Sequence, residues 1–123
     1  MKQPMEQPLP FPQIVNSVDG EWSNHPRFAG VQMKKLLSRS DNEFANVNMV
    51  RVPLESEVGW HNHPTQVETV YILKGDALLT VGDQQSSMAP GSIVAIPAGS
   101  QHCLRCAGSE PVELLAFFTP PIG

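Results

Sequence analysis

His61 and His63 stand one residue apart in GWHNHPTQVETVYILKG, residues 59–75, and Glu68 follows just before an apolar run. The chain has four histidines, so this stretch holds half of them. Two imidazoles at that spacing are either surface turn residues or two ligands of one ion. On a β-strand, side chains alternate faces with period two, so His61 and His63 would point the same way. Their Cα atoms would lie about 6.5–7 Å apart by strand rise, within reach of a single metal ion. Glu68 raises the same question from the next strand. VETVYILKG puts Glu68, Val70 and Ile72 on one face, and Val67, Thr69, Tyr71 and Leu73 on the other. A carboxylate sharing a face with Val70 and Ile72 needs a cation, a donor network or water, because burying it unpaired is costly. Downstream, His102 follows the Pro97-Ala98-Gly99 turn and opens a further apolar run. If the fold lays that run beside the first, three imidazoles and a carboxylate converge. Such a set suits one divalent first-row ion: Mn, Fe, Co, Ni or Zn.

The elements that must position these residues are short. From Val31 onward, apolar or alternating runs (VQMKKLL, VNMVRVPL, VETVYILKG, ALLTVGDQQS, SIVAIPAG, HCLRC, VELLAFFTPP) are divided by Gly, Pro, Asp and Ser. Val, Ile, Leu, Phe and Tyr dominate them, at intervals of roughly ten residues, which predicts an antiparallel all-β sandwich or barrel without long helices. VGDQQ and KGD read as hairpin turns, where glycine takes φ > 0 without steric cost. The first dozen residues hold Pro4, Pro8, Pro10 and Pro12 and read as an extended arm. We expect an arm and irregular lead-in over 1–30 and a barrel over 31–123.

Composition narrows the function classes. With 123 residues there is room for one core. A net charge of −4 offers no basic stripe for nucleic acid. No stretch approaches the ~20 apolar residues of a membrane span, and the first residues lack a signal-peptide core, so a cytoplasmic location is expected. The two cysteines then read as free thiols.

Taken together, the two histidine segments resemble the motifs of the cupin family. The first motif of that family is His-x-His, three or four residues, Glu, six residues, Gly; here it reads His61-Asn62-His63, four residues, Glu68, six residues, Gly75. The second reads Gly91, five residues, Pro97-Ala98-Gly99, two residues, His102. The chain departs from the pattern at Glu55, where a glycine is expected, and at Cys106, where an asparagine is expected. The resemblance implies a small double-stranded β-helix (jelly-roll) barrel, commonly a homodimer. It also implies a divalent metal on His61, His63, Glu68 and His102. A cupin that has lost its metal and keeps a polar cavity is the other reading of the same residues.

Remaining candidates follow from strand parity. Asn48 shares a face with Val50 and Val52, and the valine face is expected inward, leaving Arg51 as an outward solvated charge. Leu114, Ala116 and Phe118 share a face and are expected to give a substrate pocket its apolar wall. Gln66 sits in the loop before the Glu68 strand, facing substrate or solvent. His25 has no companion and reads as a surface or capping histidine. Trp60 is expected to point outward and to serve subunit packing. Cys103 and Cys106 fall on opposite strand faces, about 10 Å apart by strand rise, too far for a disulfide, and read as small buried residues. The expected function is a metal-dependent enzyme acting on a small organic molecule, of oxygenase, isomerase or lyase type. No separate general base is visible, which favours metal-centred chemistry such as oxygenation. The alternative is a non-catalytic module that binds or senses a metabolite. A metal-free, epimerase-like cupin would need a histidine–aspartate pair, and none is identifiable.

Overall fold

The computed structural model describes residues 12–122. The expectations placed on Pro4, Pro8, Pro10 and the rest of residues 1–11 lie outside the described residues. Among those residues the β-rich runs become ten strands and no helix. In chain order these are β1 (Ser23–Asn24), β2 (Gln32–Leu37), β3 (Asn46–Val52), β4 (Glu57–His61) and β5 (Val67–Lys74). They continue as β6 (Ala77–Val81), β7 (Gln84–Met88), β8 (Ile93–Ile96), β9 (His102–Cys106) and β10 (Val112–Thr119). A six-stranded sheet runs β1-β2-β3-β10-β5-β8, and a four-stranded sheet runs β4-β9-β6-β7. Every pairing is antiparallel. This is the expected all-β jelly roll.

Alternation explains which residues meet inside. On β10, Val112, Leu114, Ala116 and Phe118 are buried, and on β5 so are Val70 and Ile72. Cross-strand register sets Ala116 beside both Val70 and Asn48, and Leu114 beside Ile72 and Val50. Val31, Val52, Ile72 and Val112 are fully buried at one end of the interior. Burying each such side chain is worth about 1.5–3 kcal/mol, which anchors that end.

Two turn expectations part company. VGDQQ is the two-residue hairpin between β6 and β7, with Val81 opposite Gln84 and Gly82 at φ 61°. KGD is not a hairpin. β5 pairs with β10 and β8, whereas β6 pairs with β9 and β7, so Lys74-Gly75-Asp76 carries the chain from one sheet to the other. Gly75 takes φ 79° there, and a Cβ would run into the Pro111 carbonyl. Local turn residues signalled a reversal; the partner strands made it a corner.

The lead-in is less irregular than its composition implied. Ser23–Asn24 pairs with β2. Trp22 lies over the outer side of the sheet, 4.2 Å from the Arg51 guanidinium and 4.9 Å from Lys34 Nζ. Arg51 therefore is not a solvated charge, as expected from its outward face. It also bonds Glu113 at 2.9 Å across the β3–β10 pair.

Candidate metal centre

His61 reaches the interior through a bulge. Val58 pairs with Leu104 and His61 with His102, so three steps on β4 match two on β9. The extra residue turns both Val58 and His61 inward and leaves Trp60 exposed between them. Within the bulge the Gly59 carbonyl accepts a hydrogen bond from His61 Nδ1 at 2.7 Å. A Cβ on Gly59 would crowd the Phe28 ring, so the glycine gives that ring its space.

His63 does not share a strand with His61, because β4 ends at His61. Its ring still comes within 4.8 Å of the His61 ring, centroid to centroid. The loop that carries it is tied down by the Gly99 N–H, which donates to the His63 carbonyl at 2.8 Å. Gly99 itself sits at φ 83°, a conformation that suits glycine. The Pro97–Gly99 turn thus does two things: it starts β9 with His102, and it holds the loop bearing His63.

Glu68 enters from the facing sheet, its Cα partnered by Phe118 and Ile96. Its Oε1 accepts a hydrogen bond from His102 Nε2 at 3.1 Å and lies 3.3 Å from His63 Nε2. His102 Nδ1 donates to the Ser100 carbonyl at 2.9 Å. A carbonyl can only accept, so the Nδ1 atoms of His61 and His102 carry protons and their Nε2 atoms face the common centre. His63 Nε2 is buried there without a hydrogen-bond partner. The four ligand atoms lie within 4.8 Å of one another. An orphaned imidazole nitrogen, two oriented imidazoles and a carboxylate around one point fit a divalent transition metal, and the cluster could bind one.

Electrostatics fits the same grouping. Burial would raise the Glu68 pKa, but the hydrogen bond from His102 and the His63 ring beside it hold it down at about 2. Burial tends to lower the pKa of His102, and the bonds to Glu68 and Ser100 reverse that and raise it. His61 is lowered by burial and by its two imidazole neighbours, despite its bond to Gly59. Glu68, His61 and His102 are each tuned by their neighbours in the cluster.

The cluster opens on a cavity of about 530 Å³ between the sheets. Asn48, Leu114, Ala116 and Phe118, singled out by strand parity, all line it, and so does the loop residue Gln66. Gln66 also donates weakly to the Pro121 carbonyl, 3.4 Å away. Among the lining residues that escaped sequence reasoning are His25, Arg27 and Phe28 of the lead-in. The capping role expected of His25 is present, since its Nδ1 accepts from the Arg27 N–H at 3.0 Å. Its ring also stacks on Phe28, which in turn touches His61, at 4.8 and 5.4 Å between centroids. Only the repeat of His-Pro in SNHP and HNHP hinted at a shared location. The cysteines are both free. Cys106 is buried and donates to the Glu110 carbonyl at 2.9 Å, but Cys103 is half-buried on the outer face, not inside as expected.

Comparison with known proteins places these features. The sequence profile of the cupin domain matches residues 48–118. An uncharacterized protein of Methanocaldococcus jannaschii is 31% identical over 70 residues, covering 57% of this chain and 56% of that protein. The chain thus spans little more than half the length of that relative. The oxalate-binding protein of Thermotoga maritima is 27% identical over 88 residues, covering 70% of this chain and 73% of that one. Among solved structures, a Thermotoga maritima protein described as a predicted oxalate decarboxylase superposes with a TM-score of 0.79 at 24% identity. That match covers 88% of this chain and 99% of the other. The profile spans both ligand-bearing segments and the strands around them, and the chain belongs to the cupin family.

Proposed function

We propose that this chain is a divalent-metal cupin that binds a small organic molecule at the metal and acts on it as an enzyme. The observation that carries the reading is the convergence of His61, His63, Glu68 and His102 at the floor of an apolar cavity. His61, His63, Glu68 and His102 would hold a first-row ion with one or two positions left for substrate, where it would supply Lewis-acid or dioxygen chemistry. The protein's own groups exclude water and orient the bound molecule. Phe118 packs edge-on against His63 at 5.0 Å and fixes that ring, while the Asn48 amide offers a polar contact beside the apolar Leu114 and Ala116. His25 supplies no base at the wall, because its Nδ1 is occupied by backbone N–H groups and its Nε2 then bears the proton. Chemistry centred on the metal is favoured for that reason.

Metal analysis of freshly purified protein tests the first half of the proposal. Turnover of diketones, phenolics and small hydroxy acids, under air and under nitrogen, tests the second. A second reading, a non-catalytic metabolite binder, is supported by the kinship with an oxalate-binding protein. It predicts tight binding with no turnover of any of these compounds. We further propose a homodimer, with the exposed Trp60 beside the bulge at or near the contact, and a cytoplasmic protein with reduced thiols. Light scattering that returns the monomer mass at micromolar concentration overturns the dimer.

A further inference from the structure

Charge around the cavity runs against the composition of the chain. The sequence holds 12 acidic and 8 basic residues. Yet among the described residues the cavity and the recess that adjoins it are lined by one carboxylate, Glu68, and by three cations, Arg27, Lys35 and Arg39. The recess, about 470 Å³, shares Asn48, His63 and Phe118 with the main cavity, so both lead to the metal centre. Among the described residues none of the three cations makes an ion pair, whereas the outward Arg51 is paired with Glu113. Arg27 stands exposed on the main rim, its guanidinium 5.2 Å from the Phe28 ring. Beside it, His25 turns Nδ1 to the backbone and keeps Nε2–H as a donor. The main cavity also carries apolar surface, with Phe28, Val50, Leu114 and Phe118 on it alongside the polar Asn48, Asn62, Thr65 and Gln66.

We infer that the ligand of this site is an organic acid built in three parts: an oxygen group that coordinates the metal, an apolar body, and a distal carboxylate bound by Arg27. The inference rests on the metal-binding reading above and adds the class of substrate. A two-carbon dianion has no apolar surface to bury, whereas a cavity of about 530 Å³ is in the range that encloses much larger molecules. A planar guanidinium fork matches a carboxylate in two parallel hydrogen bonds, and Arg27 is the cation on the main rim. Lys35 and Arg39 extend the positive field to the second opening, which draws anions into a chain that is acidic overall.

The test holds the metal-binding group constant and varies the rest. Protein loaded with cobalt(II), with loading verified by metal analysis, is titrated with four kinds of hydroxamate. The first two are acetohydroxamate and benzohydroxamate; the third kind carries a para carboxylate directly on the benzohydroxamate ring, and the fourth carries it on a spacer of one or two carbons. Benzohydroxamate is expected to bind about tenfold tighter than acetohydroxamate, because the ring reaches the apolar wall. At least one carboxylated probe is expected to gain about another tenfold, and that gain shrinks with added salt. In Arg27→Gln the advantage of the carboxylated probe over benzohydroxamate disappears; Arg27→Lys keeps part of it. If no carboxylated probe exceeds benzohydroxamate, or if the advantage survives Arg27→Gln, the inference is overturned. A protein that takes up no cobalt overturns the metal reading, and this one with it.

Discussion

The same strands build two unlike ends of one interior. Read inward along β5, Ile72 is fully buried, Val70 is nearly so, and Glu68 faces the cavity. Along β3 the series is Val52, Val50, Asn48; along β9 it is Cys106, Leu104, His102. One end is sealed by aliphatic side chains, and the other gathers four titratable groups whose ligand-type atoms lie within 4.8 Å of one another. The difference shows a division of labour within each strand. Apolar burial at the sealed end supplies the stability that lets the open end hold an imidazole nitrogen without a partner.

The largest effect is expected from breaking the sealed end. Ile72→Ala should cost about 2–5 kcal/mol, a large share of the about 5–15 kcal/mol that holds a small domain together, and lower the melting temperature sharply. Denaturant unfolding measures it, and a cost below 1 kcal/mol would mean that this end is not the anchor. Breaking the open end should do the reverse. His63→Ala removes the unpartnered ligand, so metal content should drop more than tenfold while the metal-free melting temperature stays within a few degrees. Loss of both together would merge the two ends into one cooperative unit.

A backbone change sharpens the comparison further. Gly99→Val meets no neighbour, since nothing lies within 4 Å of a Cβ there. Its cost is conformational, about 1–2 kcal/mol for a β-branched residue at φ 83°. Strain at that turn should loosen the Gly99–His63 hydrogen bond, so metal affinity should fall further than stability. Unchanged metal affinity alongside a lowered melting temperature would separate the turn from the site.

The smallest effect is in pH. In metal-free protein the Glu68 pKa lies below its ordinary value, at about 2, so its contribution is present above about 4.5 and is lost as pH falls towards 2. His102 is raised, so its contribution is present below 6.5 and is lost as pH climbs through its folded pKa. His61 is lowered and acts oppositely, costing stability below 6.5. Melts in chelator should therefore show a His102-dependent decline as pH rises above 6.5 that Glu68→Gln abolishes. Stabilisation by added metal should instead grow from pH 6 to 8, because coordination needs neutral imidazoles. Parallel pH profiles with and without metal would contradict the assignment of these groups as ligands.

The jelly roll and the membership of the ligand cluster were legible in sequence because both rest on local signals. Period-two alternation gave the faces of β3, β5, β9 and β10, and motif spacing named His61, His63, Glu68 and His102. What sequence could not show depended on partners far along the chain. His63 lies past the end of its strand, so simple alternation reached the right orientation by the wrong route. The Gly75 corner looked like a hairpin until β5 and β6 were seen in different sheets. Arg51 needed Trp22 and Glu113, 29 and 62 positions away, to become an ordered contact. The His25–Phe28 wall had no periodicity to betray it, because it is a loop laid across the mouth of the barrel.

The extra residue at Gly59–Trp60 is what separates Val58 from His61 by an odd count while both face inward. Deleting Gly59 would restore regular pairing, with Val58 opposite Leu104, Trp60 opposite Cys103 and His61 opposite His102, so the imidazole would stay inward and the indole outward. Replacing Trp60 alters only an exposed side chain, and shortening the strand beside it removes the bulge rather than the histidine. The partner strand, not the residue count, sets the side on which His61 stands.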